Sequence, residues 1–193
     1  MKKMIAMLLA LACVMGLVAC GNTQSGGETT TAPAATQDKV ASALEILETV
    51  WGSYAEDEKF FAMGGDMNNV VDNAPGAYSL EDEGMTATLL VPADQIANLD
   101  EAASLVHGMM LNNFTCGAYH VTGDVDAFAE AMYNAISTNP WICGQPEKLI
   151  VAIVGGEYVV ALFGINDAVN PFEAKLKEAY PSTNFVYNEA IAG

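Results

Sequence analysis

The chain has 193 residues, with 24 acidic and seven basic side chains and a formal charge of −17. Every basic residue is a lysine, and no arginine is present. Such a balance excludes a nucleic-acid-binding face, which needs a basic surface, and recognition of phosphate by arginine forks. The negative field attracts cations and repels anionic lipid, and its simplest role is solubility.

The chain opens Met1-Lys2-Lys3, and residues 4–19 then run 16 residues without a charge. A spanning helix needs about 20 apolar residues, so this run is short for one. A basic start, a short apolar core and small residues before a cut have the form of a secretory signal. The run ends Leu17-Val18-Ala19-Cys20-Gly21. This ending resembles the lipobox of bacterial lipoproteins. The resemblance implies cleavage before Cys20, acylation of that cysteine (diacylglyceryl, palmitate-type chains) and attachment to membrane lipid on the extracytoplasmic face. Two acyl chains anchor firmly, whereas one binds only marginally. Processing would leave five lysines against 24 acids, a side-chain charge of −19.

Residues 21–37 are Gly, Ser, Thr, Ala, Asn, Gln and Pro with one acid. They read, behind the lipidated Cys20, as a flexible tether with a coil span of about 20–25 Å. Residues 38–193 are then one domain of α+β class. Within it, residues 38–80 read as a helix plus an irregular segment, and residues 85–193 as a sheet-and-helix core.

Residues 38–59 place Val40, Ala43, Leu44, Leu47, Val50, Trp51 and Tyr54 on one helical stripe, with Asp38 as the candidate cap. Residues 60–80 are rich in turn dipeptides and form the longest loop-like segment, a natural place for a functional surface. Residues 85–91 read as a strand. Residues 94–111 read as a helix, with Ile96, Leu99, Ala103, Val106 and Met110 on one side. Residues 113–122 read as a strand, and a helix follows from Val125 to Asn139-Pro140. The runs at residues 149–154 and 157–163 form a hairpin across a two-residue Gly155-Gly156 turn. Asn170-Pro171-Phe172-Glu173 reads as the start of a helix that stops at Pro181. Residues 184–187 close the chain as a short strand.

From residue 113 to about 188 the order is β-α-β-β-α-β, the ferredoxin-like pattern. It predicts an antiparallel four-stranded unit with two helices on one face. The preceding strand and two helices would extend its sheet or cover its other face. Nearly continuous apolar strands imply burial on both faces.

Cys116 and Cys143 are candidates for a disulfide, since the pattern brings a strand start and a strand-entering loop to one end. The alternative is two separate thiols, one of them buried. Zinc is disfavoured as a ligand of His107, Cys116, His120 and Cys143. On a strand, Cys116 and His120 are separated by about 13 Å, too far for one tetrahedral ion. No cofactor motif occurs.

Residues 141–146 (Trp-Ile-Cys-Gly-Gln-Pro) are an uncharged loop, and Trp141, Gln145 and Pro146 are the candidate binding surface. Trp141 could instead fold into the core. No nucleophile elbow, metalloprotease motif or P-loop is present. Asp66-x-Asn68 begins like a calcium loop but has Val70 where the third ligand belongs.

The lipobox and tether, the NNFTCGAYHV segment and the EKLIVAIVGGEYVVALFG hairpin together resemble small uncharacterised lipoproteins of Gram-positive gut bacteria. The resemblance implies no established activity. The expected function is therefore a non-enzymatic binding or interaction module with a protein or small-molecule partner at the cell surface. The alternatives are a tethered envelope hydrolase with a carboxylate or Cys/His site, and a calcium-dependent scaffold.

Overall fold

A computed structural model describes residues 37–191. The signal segment, Cys20 and the tether up to residue 36 lie outside the described residues. Eight strands form one antiparallel sheet, and four helices accompany it. The α+β class is as expected.

Helix α1 (Ala43–Gly52) starts later than its stripe suggests. Ser42 caps it by accepting from the Glu45 N–H at 3.0 Å, and Glu45 accepts from the Ala41 N–H at 2.6 Å. Asp38 is not the cap. Its carboxylate accepts from the Ser182 N–H and hydroxyl, tying the start of the domain to the segment before the last strand.

Residues 60–80 hold three short strands, β1 (Ala62–Gly64), β2 (Val71–Asp72) and β3 (Gly76–Ala77). A Cβ on Gly64 would overlap the Gly76 backbone, so these two chain segments can cross only as glycines.

Two expected elements differ. Residues 85–91 are not a strand: the short helix α2 (Gly84–Ala87) leads into a turn. Met85 and Leu89, four apart, are both buried, as a helical turn requires. Residues 94–111 are not a helix but contain β4 (Leu99–His107). Its small central residues fit either period, and pairing with the next strand decides for the sheet. Ala102 and Ala103 face opposite sides and let both covering layers approach.

Strand β5 (Phe114–Val121), helix α3 (Val125–Ser137), strands β6 (Lys148–Val154) and β7 (Tyr158–Gly164), helix α4 (Asn166–Ala179) and strand β8 (Asn184–Ala190) follow in the expected order. The β6–β7 turn holds three residues rather than two, with Val154 opposite Tyr158 and both Gly155 and Gly156 at positive φ. Helix α4 begins a turn before Asn170. Its first N–H, on Asn166, donates to the Glu147 carboxylate at 2.8 Å, a cap supplied from another segment. Pro171 therefore lies inside the helix, and Asn170 and Glu173 instead hold the Lys148 ammonium.

The strand order is β2-β1-β4-β5-β7-β6-β8, with β3 also on β4. The ferredoxin-like arrangement would pair the last strand with β5. Here β4 occupies that place, and β8 pairs with β6 at the far edge. The helices follow from this. Strands β5 and β7 are antiparallel, and both crossovers step toward the β8 edge. Two right-handed crossovers that step the same way from opposed strands must cover opposite faces. Phe128 and Met132 of α3 accordingly pack on one face, and Phe172 and Leu176 of α4 join α1 on the other.

Each central strand thus buries both faces. Phe114, Cys116 and Ala118 meet α1 and α4, while Tyr119 and Val121 meet the α3 side. This is why the strands read as continuous apolar runs.

Phe172 is fully buried with its ring 5.4 Å from that of Phe114. Phe172→Ala should destabilise the fold by about 3–5 kcal/mol in urea unfolding, through lost transfer energy and a cavity. Gly52, where an added Cβ meets nothing, should accept alanine with a gain of about 0.4–1 kcal/mol.

Candidate functional site

The antiparallel ladder has two distinct ends. At one lie the β6–β7 turn, the start of β4 and the first described residues, since an added Cβ at Gly155 would sit 3.1 Å from the Asp38 carbonyl oxygen. At the other lie the end of β4, the start of β5 and the loop into β6. The strands between are about 25 Å long.

The first end is acidic. Asp38, Glu45 and Glu157 line a shallow depression there. His120 Nδ1 lies 2.5 Å from Asp100, and its Nε2 is 3.9 Å from Glu157. Burial, then the Glu101, Glu157 and Asp100 carboxylates, push the neighbouring Tyr158 hydroxyl up, so it stays neutral. Both nitrogens of His120 therefore face carboxylates. That is an ion-pair geometry and not a base aimed at a nucleophile.

The second end is poor in charge. Residues 105–115 and 138–146 contain no Asp, Glu, Lys or Arg, and residues 60–71 contain only Asp66. Met67 is 82% exposed, Met109 79% and Ile142 77%, in company with exposed Phe61, Val70, Met110 and Leu111. A groove of about 180 Å³ runs between the β1–β2 connection and the end of β4. Met63, Met67, Val70, Val106, His107 and Leu111 line it. Leu111 also borders a second depression of about 240 Å³, lined by Met109, Met110, Ile142 and Cys143. The two make one continuous apolar surface, of the kind that marks an interaction site.

Local hydrogen bonds shape this surface. The Met109 and Met110 N–H groups donate to His107 Nδ1 at 3.2 and 3.3 Å. Nδ1 is thus an acceptor, and the neutral ring carries its proton on Nε2. His107 also stacks on Phe60 at 5.4 Å. The Asn112 amide donates to the Ile142 and Gly144 carbonyls at 3.0 and 2.6 Å, fastening the loop before β6 to the β4–β5 connection.

Asp66 is buried at the base of the groove, at 4% exposure. Its carboxylate accepts from the backbone N–H groups of Asn68, Asn69 and Ser79 and from the Asn69 amide. Burial alone would raise its pKa, but these donors outweigh it and hold the carboxyl below its usual value. Both oxygens are occupied by donors, so Asp66 organises the turn rather than offering a calcium ligand. Among the described residues no group of three His, Cys, Asp or Glu could hold a metal ion.

The candidates from sequence separate here. Cys116 and Cys143 are both free thiols, the first buried and the second exposed, so of the two alternatives the candidate disulfide is not the one formed. Cys116 points into the α1–α4 side, whereas the loop carrying Cys143 packs Trp141 on the α3 side. Burial pushes the Cys116 thiol well up, so it is no nucleophile. Trp141 is half-buried with its ring 4.8 Å from Phe163, and Pro146 is buried. Gln145 is exposed and has its own interaction within the domain. The surface of this loop is therefore Ile142 and Cys143 rather than Trp141 and Pro146. Residues 108–112 escaped sequence reasoning because they read as the end of a helix. The signal that could have found them is the scarcity of charge in three separate segments of an acidic chain.

No known family, curated protein or solved structure shows significant similarity to this chain.

The depressed pKa of Asp66 stabilises the fold at pH values above the unfolded-state value near 3.9, and that contribution is lost as pH falls through the folded value. Asp66→Ala should cost about 1.5–3 kcal/mol at pH 7, since it strands buried donors of a charged acceptor. In urea unfolding, the gap between wild type and variant should narrow as the pH falls through the folded-state value.

Proposed function

We propose that the protein is a lipid-anchored extracytoplasmic binding module whose apolar end captures a protein partner. The observation that carries this reading is the placement of that apolar end opposite the point where the tether joins the domain. The lipobox-like ending at Cys20 and the short signal-like run support the anchor. A coil span of about 20–25 Å would keep the acidic end nearest the membrane, where anionic headgroups repel it. The methionine-rich end would then face outward.

The size of the groove favours a protein over a small molecule. Ligand pockets for drug-sized compounds measure about 300–1,000 Å³. A groove of about 180 Å³ holds one or two side chains. An aliphatic or aromatic residue on an uncharged partner segment would be the anchor, and flexible methionines would close around it. No described helix is long and apolar enough to cross a membrane.

Two measurements test the two halves of this reading. Cys20→Ala should abolish labelling by radioactive palmitate. Peptides that display one Leu, Phe or Trp in an uncharged context should bind by fluorescence anisotropy, while alanine versions should not. Val70→Glu with Leu111→Glu should weaken that binding at least about tenfold, by burying charge in the groove, with the melting temperature unchanged. Binding that survives the double variant would remove the groove from the proposal.

A further inference from the structure

The depression beside the groove has a chemistry that partner docking does not use. Cys143, Met109 and Met110 all line it. They bring one thiol and two thioethers to a single depression. We propose that this depression is a binding site for a soft monovalent cation of the copper(I) class, with these three sulfurs as ligands.

Soft thiolate and thioether donors select copper(I), whereas hard divalent ions need oxygen ligands. Charge points the same way. Binding breaks the Cys143 S–H bond, releases the proton to solvent and forms a sulfur–metal bond, with no electron transferred. One thiolate then balances one monovalent ion. A divalent ion would keep a net charge in surroundings where residues 105–115 and 138–146 supply no carboxylate. The strongly acidic chain meanwhile raises the local concentration of any cation.

Both loops are held in position before an ion arrives. His107 Nδ1 accepts from the backbone of both methionines. Asn112 grips the carbonyls on either side of Cys143. The terminal methyl of Met110 lies 4.0 Å from where a side chain on Gly144 would begin, which sets the two loops in contact. Met109 is largely exposed and unbranched, so its thioether can swing over an ion. Cys116 takes no part, because it is buried on the opposite side of the sheet.

The test uses the full chain carrying Cys13→Ala and Cys20→Ala, purified in detergent, so that Cys116 and Cys143 are its two thiols. Copper(I) is titrated without oxygen against a chromogenic chelator, with silver(I) as a redox-inert second probe. One ion per chain is expected, with an all-sulfur first shell by X-ray absorption. Cys143→Ser should lower affinity by more than about 100-fold, and Met109→Leu with Met110→Leu by more than about tenfold. Asn112→Ala should cost about tenfold by freeing the loop, while Cys116→Ala should change nothing. Leucine matches methionine closely at these exposed positions, so melting should be unaffected. Full affinity in Cys143→Ser or in the double leucine variant, or oxygen and nitrogen in the first shell, would overturn the proposal.

Discussion

The structure depends on burying one antiparallel sheet on both faces. Strands β5, β6 and β7 have side chains packed above and below, and neither face could be exposed without placing a row of Val, Ile, Leu and Phe in water. The cost of such exposure, at about 25 cal/mol per Å² of apolar surface, would exceed the net stability of an ordinary domain. The central strands therefore have to be covered on both faces, and the route of the last strand decides how it is done. Because β8 pairs with β6 instead of β5, helix α4 crosses on the face opposite α3. Helix α1 then fills the remainder of the α4 side.

Coverage of the central strands on both faces leaves the ends of the sheet as the main places open to function. The two ends differ in charge because the connections that build them differ in composition. The β6–β7 turn and the start of β4 carry Glu157, Asp100 and Glu101, and Asp38 joins them from the start of the domain. The opposite end is built from three segments that are far apart in the chain and carry one charged side chain between them, Asp66. Their convergence turns scattered methionines into a surface. Beyond residue 36 the chain has six methionines, and Met63, Met67, Met109 and Met110 lie at this end.

That surface is shaped by polar groups that do not themselves form it. Asp66 gathers four donors beneath the groove. His107 and Asn112 each hold two backbone groups of a connecting loop. Each pins backbone groups of a turn or connecting loop, so the apolar side chains are presented from a fixed frame. A rigid frame with flexible thioethers on it suits both proposals, since the ordering cost of the backbone is already met in the free protein.

The sequence by itself determined the elements whose signal is local. Helix α3, the β6–β7 hairpin with its glycine turn, and the burial of both faces of the central strands all follow from spacing and turn chemistry. The signal-like run and Cys20 are likewise local patterns, though they lie outside the described residues. Only the tertiary structure decided the rest. Residues 99–107 carry a pattern that fits helix or strand, and pairing with β5 settles it. The cap of α4 comes from Glu147, nineteen positions before the Asn166 it serves. Cys116 and Cys143 stand apart because strand alternation sends one side chain to the side opposite the other's loop. The apolar end exists only once three distant segments meet, and no local period records which loops will share an end of a sheet.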